Sequence, residues 1–99
     1  MNNFEFQKKD ICRFKARISG KVQGVFFRDF TLKEANDLNI FGWVRNTDDG
    51  CVEVVAEGYK KNLDKLIEFL KEGSPKARVD SVDIKWEEPK GEKDFIIKF

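Results

Sequence analysis

Two short stretches of the chain hold the residues best suited to chemistry. The first, Ser19 to Arg28, reads SGKVQGVFFR and contains no acidic residue, although Asp and Glu account for 18 of the 99 residues. It carries Lys21 and Arg28, and Gly20 and Gly24 allow tight backbone turns. It runs straight into a helical pattern, where Ser, Thr, Asp or Asn usually satisfies the orphan N–H groups of the first turn. Val25, Phe26 and Phe27 supply no such cap. Uncapped donors behind a glycine-bearing loop suit an anion. Arg28 would add a permanently charged fork matched to a pair of phosphate oxygens. A cation there opposes the helix dipole, which suggests a functional demand unless Asp29 simply compensates. The plainer reading is a glycine loop with a surface arginine, and these signals do not separate the two. The GK[ST] ending of a nucleotide P-loop is absent.

The second stretch centres on Asn46, which opens NTDDG. Taken alone, Asn in that place is more often an Asx-turn residue than a catalyst. Its amide can nevertheless accept from a water and donate to an oxygen at once, without a charge that repels an anionic substrate. Other chemistries are excluded by what is missing. Without histidine there is no Ser-His-Asp or Cys-His machinery. Cys12 and Cys51 stand alone, with no CxxC, so neither a zinc site nor a thioredoxin-type centre is supported. A net charge of +1 argues against an electrostatic nucleic-acid binder. The opening MNNFEFQKKD has no hydrophobic signal core and no apolar run reaches membrane-spanning length, so a cytoplasmic protein without a membrane partner is expected.

The length suits one domain. Charged residues make up 37% of the chain, against about 25% in ordinary globular domains, so the surface is heavily solvated. Ten phenylalanines and two tryptophans argue against disorder. Residues 1–11 read as a polar leader and 12–99 as the domain. CRFKARIS (12–19) alternates, with Cys12, Phe14, Ala16 and Ile18 inward and Arg13, Lys15 and Arg17 on a solvated face. The helix after the loop turns Phe27, Thr31, Ala35 and Leu38 inward and closes at Asn39. A second strand spans 40–46, an Asp49-Gly50 turn follows, and a third strand spans 51–57. Leu63, Leu66, Ile67 and Leu70 mark a helix over 59–72 that ends at Gly73 before Pro75. A fourth strand covers 77–87, with Val82, Ile84 and Trp86 on one face, and FIIKF is a short fifth.

This order predicts an α+β fold: a ferredoxin-like βαββαβ plait, an antiparallel sheet with two helices on one face plus a short C-terminal strand. In that topology strands one and two are parallel and end at the same sheet edge, two strand spacings or roughly 10 Å apart. The acid-free loop and Asn46 then meet.

At this point the residues resemble a family. GKVQGVFFR at Gly20–Arg28 and GWVRNTDDGCVEV at Gly42–Val54 are similar to the two signatures of the acylphosphatases, and the resemblance spans Cys12 to Phe99. It implies metal-independent hydrolysis of the carboxyl–phosphate bond of a small-molecule acyl phosphate by a monomeric enzyme with no cofactor and no nucleic-acid partner. It further implies that Arg28 and the backbone amides of Gln23, Gly24, Val25, Phe26 and Phe27 hold the phosphoryl group. Asn46 would position the attacking water.

Two rivals share this topology, which by itself decides no function. An RNA-binding module would stack bases on the open sheet face, but the third strand offers Cys51, Glu53, Val55 and Glu57 there. A non-catalytic or carbamoyl-phosphate-handling module is the closer rival, since the same motif opens a hydrogenase-maturation carbamoyltransferase; with the sequence ending at Phe99, no such catalytic partner domain is expected here. The aromatic set Phe14, Phe27, Phe30, Phe41 and Trp86 is expected in the core. Cys12 and Cys51 fall at opposite ends of antiparallel strands, beyond the ~7 Å reach of a disulfide.

Overall fold

The computed structural model describes residues 11–99. Its elements are β1 (Ile11–Lys21), α1 (Phe27–Asp37), β2 (Phe41–Asn46), β3 (Val52–Tyr59), α2 (Lys60–Glu72), β4 (Arg78–Glu87) and β5 (Phe95–Lys98). The leader expected over residues 1–11 lies outside the described residues except for Ile11, which opens β1 opposite Tyr59. The strand order is β4-β1-β3-β2-β5. The first four strands pair antiparallel, as the plait requires, while β5 adds parallel to the outer edge of β2. The whole sheet is therefore mixed.

The period-two pattern of β1 and β3 buries Phe14, Ala16 and Ile18 against Val52, Val54 and Ala56, beneath both helices. Helix α1 contributes Phe27, Thr31 and Ala35, and α2 contributes Leu63, Leu66 and Leu70. Thr31 is satisfied in this apolar layer by donating to Phe27 O at 2.8 Å. Asn39 closes the first helix in a left-handed conformation, φ 54°. Strand β3 runs two residues further than its pattern suggested because Cys12 and Ile11 continue the ladder against Gly58 and Tyr59. Cys12 thus lies about six residues along β1 from Ile18, whose partner Val52 adjoins Cys51. At roughly 3.3 Å per residue the two cysteines are far apart, and no disulfide joins them.

The open sheet face corrects one expectation. Lys15 pairs with Glu53 and Arg17 with Asp49 near solvent, but Arg13 and Glu57 are only 5% and 3% exposed. Arg13 donates to Glu57 at 2.6 Å, Glu92 at 2.9 Å and Glu87 at 3.1 Å. The Glu57 carboxylate also accepts the backbone N–H groups of Lys90, Gly91 and Glu92. The cause is topological: the chain leaves β4 at one edge and must reach β5 at the other. The crossing segment covers this end of the face. Val55 is buried as well, in the cross-strand row between Lys15 and Trp43.

The aromatic expectation holds for Phe14 and Phe27 and fails for Phe30, Phe41 and Trp86, which are 38–44% exposed. Trp86 sits on edge strand β4, where the Phe14 ring meets it edge-on and the Lys60 ammonium lies over its face.

Candidate active site

The loop after β1 is shaped by two left-handed residues. Gly24 has φ 73°, with open space where a Cβ would stand, so the backbone conformation and not crowding calls for glycine. Phe26 takes φ 61°, ψ 24° as the residue before α1. For a side chain with a Cβ this costs about 1–2 kcal/mol, and the ring is 69% exposed, so burial offsets little of it. The surrounding contacts must hold the residue there.

No side chain of the described residues caps α1. Its first bond runs from Phe30 N–H to Phe26 O at 3.1 Å. The N–H groups ahead of it are the usual orphans of a helix start, and the residues that carry them line a cavity of about 300 Å³. Gly24, Phe26, Phe27, Arg28, Asp29 and Asn46 line that cavity. Val22 forms part of its wall, and Lys21 does not reach it. Gln23 and Val25 belong to the loop, but their side chains turn elsewhere.

Arg28 stands apart from the chain's other arginines. Arg13, Arg17, Arg45 and Arg78 each pair with a carboxylate. Among the described residues Arg28 pairs with none, not even its neighbour Asp29. Its guanidinium lies 5.0 Å from the centre of the Phe99 ring, a cation–π contact. A permanently charged fork that lines the cavity and meets no carboxylate of the described residues is suited to an anion.

Asn46 reaches the same cavity from the other strand. It ends β2 opposite Val52, which pairs on its far side with Ile18 near the end of β1. The three residues form one row across the sheet, which brings Asn46 beside the loop. The NTDDG turn does not use its side chain. Thr47 closes that turn instead: its N–H donates to Cys51 O at 2.9 Å, and its hydroxyl accepts from Cys51 N–H at 3.1 Å. Asn46 Oδ1 is buried and accepts no hydrogen bond from the described residues. An unmet buried acceptor costs about 1–3 kcal/mol, so the atom is set to accept from something that enters the cavity.

Two side-chain roles escaped the sequence reading, which gave Gln23 only a backbone amide. Gln23 sends its side-chain amide to Thr47 O and Cys51 O, both at 2.8 Å, and so bolts the loop to the hairpin that bears Asn46. Ser74, after α2, donates to Val25 O at 2.7 Å in the buried interior. A lone Gln among glycine and apolar residues was a signal for the first. Nothing local to Ser74 points to a partner 49 positions away.

Comparisons with known proteins agree with this geometry. The acylphosphatase family model matches residues 14–97. The chain is 48% identical over 85 residues to an acylphosphatase of Thermococcus kodakarensis, covering 86% of this chain and 93% of that protein. The structure of an acylphosphatase from Coxiella burnetii superposes with a TM-score of 0.89 at 38% identity, over 93% of this chain and 97% of that one. Full-length HypF, solved in a phosphate- and nucleotide-bound form, matches with a TM-score of 0.80 at 30% identity. That match covers 90% of this chain and 12% of HypF.

Proposed function

The chain belongs to the acylphosphatase family, and from that premise we infer that it hydrolyses acyl phosphates to a carboxylate and inorganic phosphate, with Arg28 and Asn46 carrying the reaction. The phosphoryl group sits at the open start of α1, its oxygens held by loop N–H groups and the Arg28 fork. A water held by Asn46 Oδ1 attacks phosphorus. The P–O bond to the acyl oxygen breaks, the electron pair leaves with the carboxylate, and a phosphoryl oxygen takes the water's proton. A carboxylate leaves readily and the transition state is loose, so positioning and charge stabilisation meet most of the demand. The chemistry needs neither histidine, which the chain lacks, nor a metal.

The observation that carries this reading is the convergence on one cavity of two groups unmet among the described residues, Arg28 with no carboxylate partner and the buried Asn46 Oδ1. On the same reading the protein acts as a monomer in the cytoplasm, without cofactor or nucleic acid. The carboxylates of Glu53 and Glu57 on the open sheet face support the last point, since they repel a nucleic-acid backbone. No helix among the described residues is long and apolar enough to cross a membrane.

The test is phosphate release from acetyl and benzoyl phosphate with a chelator present. Wild type should turn over both. Asn46→Ala should fold normally and lose about 10²–10³ in rate, the usual loss for one well-placed stabilising group. Arg28→Ala should also lose affinity for inorganic phosphate. Wild-type activity in both variants would remove these residues from the mechanism. Phosphate binding without turnover in the wild type would favour the non-catalytic module.

A further inference from the structure

We propose that Ser74 is a positioning residue for the phosphoryl group, holding the Val25–Phe26 peptide with its N–H turned toward the cavity; this rests on the function inferred above. Ser74 is 3% exposed and lies outside both sequence motifs. Its own carbonyl accepts Ala77 N–H at 2.9 Å, so Ser74-Pro75-Lys76-Ala77 is a β-turn with Pro at its second position. A Ser opening such a turn commonly bonds the turn's own backbone. Here the hydroxyl instead donates across the molecule to Val25 O at 2.7 Å. The turn is pressed against the site. A Cβ on Gly73 would stand 3.2 Å from the Phe27 ring and 3.0 Å from Val79.

In a trans peptide the carbonyl and the N–H point in opposite directions. Drawing Val25 O toward Ser74, away from the cavity, therefore turns Phe26 N–H the other way. Phe26 lines the cavity, whereas Val25 and Ser74 do not. A flipped peptide would aim a carbonyl oxygen at the bound anion. Such a flip is also favoured locally, because rotating that peptide moves Phe26 φ out of the left-handed region, where its Cβ is strained. The Ser74 bond opposes that release. The strained Phe26 and the buried hydroxyl are thus two parts of one device.

The experiment compares Ser74→Ala, Ser74→Cys and Ser74→Ala/Phe26→Gly with wild type. Readouts are KM and kcat for acetyl phosphate, binding of inorganic phosphate by calorimetry, and thermal unfolding. Ser74→Ala should weaken phosphate binding and raise KM by roughly tenfold, the equivalent of about 1.4 kcal/mol, with a smaller fall in kcat. Ser74→Cys, close in volume but a weak donor, should fall between, and it stands in should alanine fail to fold. Glycine at 26 removes the strain that drives the flip, so the double variant should recover most of the lost binding. A variant that melts earlier yet binds phosphate as wild type does would overturn the proposal, as would a binding loss that Phe26→Gly leaves in place. Wild-type inactivity on acetyl phosphate would count against the enzyme reading alone, because calorimetry still reports on Ser74.

Discussion

Replacing Gln23 with methionine should separate the loop from the hairpin with little change in side-chain volume. Gln23 donates twice, to Thr47 O and Cys51 O at 2.8 Å each. Both carbonyls keep other donors: Gly50 N–H reaches Thr47 O at 3.3 Å, and Thr47 N–H and Oγ1 reach Cys51 O at 2.9 and 3.2 Å. No acceptor is left bare, so the loss is that of two ordinary hydrogen bonds. At about 0.5–1.5 kcal/mol each, stability should fall by roughly 1–3 kcal/mol. The effect on turnover should be larger than that figure implies. Asn46 directly precedes Thr47, and a misplacement of about 1 Å can cost some 10²-fold in rate. Urea unfolding measures the first effect, and kcat for an acyl phosphate the second. Phosphate binding should change less than kcat, because the loop amides and Arg28 lie on the other side of the broken bridge. A variant that loses stability while kcat stays within twofold of wild type would show that the bridge does not place Asn46. A variant of unchanged stability would show that the two bonds contribute nothing in solution.

Phe26→Gly in the wild-type background should stabilise the fold despite removing an aromatic ring, by about 1 kcal/mol from relief of left-handed strain. For a chain of this size that corresponds to a rise in Tm of about 4–8 °C, and a fall would mean the ring packs more than its exposure indicates. Stability should also drop in acid through Glu57. Burial works to raise its pKa, but the N–H groups of Lys90, Glu92 and Gly91 and the Arg13 guanidinium outweigh it, so the carboxyl sits below its ordinary range. A lowered folded-state pKa gives stability that is present above the unfolded value, about 4.3, and lost as pH falls through the folded one. Glu57→Gln should cost about 2–3 kcal/mol at neutral pH, under the 3–5 typical of breaking a buried pair because Arg13 keeps Glu87 and Glu92. Its denaturation midpoint should then vary less than that of wild type between pH 6 and 3; equal slopes would exclude Glu57 as the source.

What the sequence reveals about this site follows a physical rule. The loop was legible because it breaks local expectations: an acid-free run in an acid-rich chain, a helix start without a cap, an arginine against the helix dipole; Asn46 stood out only once the predicted topology set it beside that loop. Local rules bind most residues and are relaxed where another demand prevails, so a cluster of exceptions is informative before any contact is known. The plait was legible for the converse reason, since strands β1 and β3 and helix α2 obey their periods closely. Arg13 and Ser74 fall into neither class. A polar residue alternating along a strand, or a serine before a proline, conforms to its local rule whether it meets solvent or a distant partner. Arg13 meets Glu87 and Glu92, more than seventy positions away, and that meeting exists only because β5 lies across the sheet from β4. Such residues become visible only through topology. The strained Phe26 shows why they matter, because a left-handed residue persists only while distant contacts over-determine it. On the proposed reading the exceptions in the sequence mark where substrate binds, and the conforming polar residues behind them hold those exceptions in place.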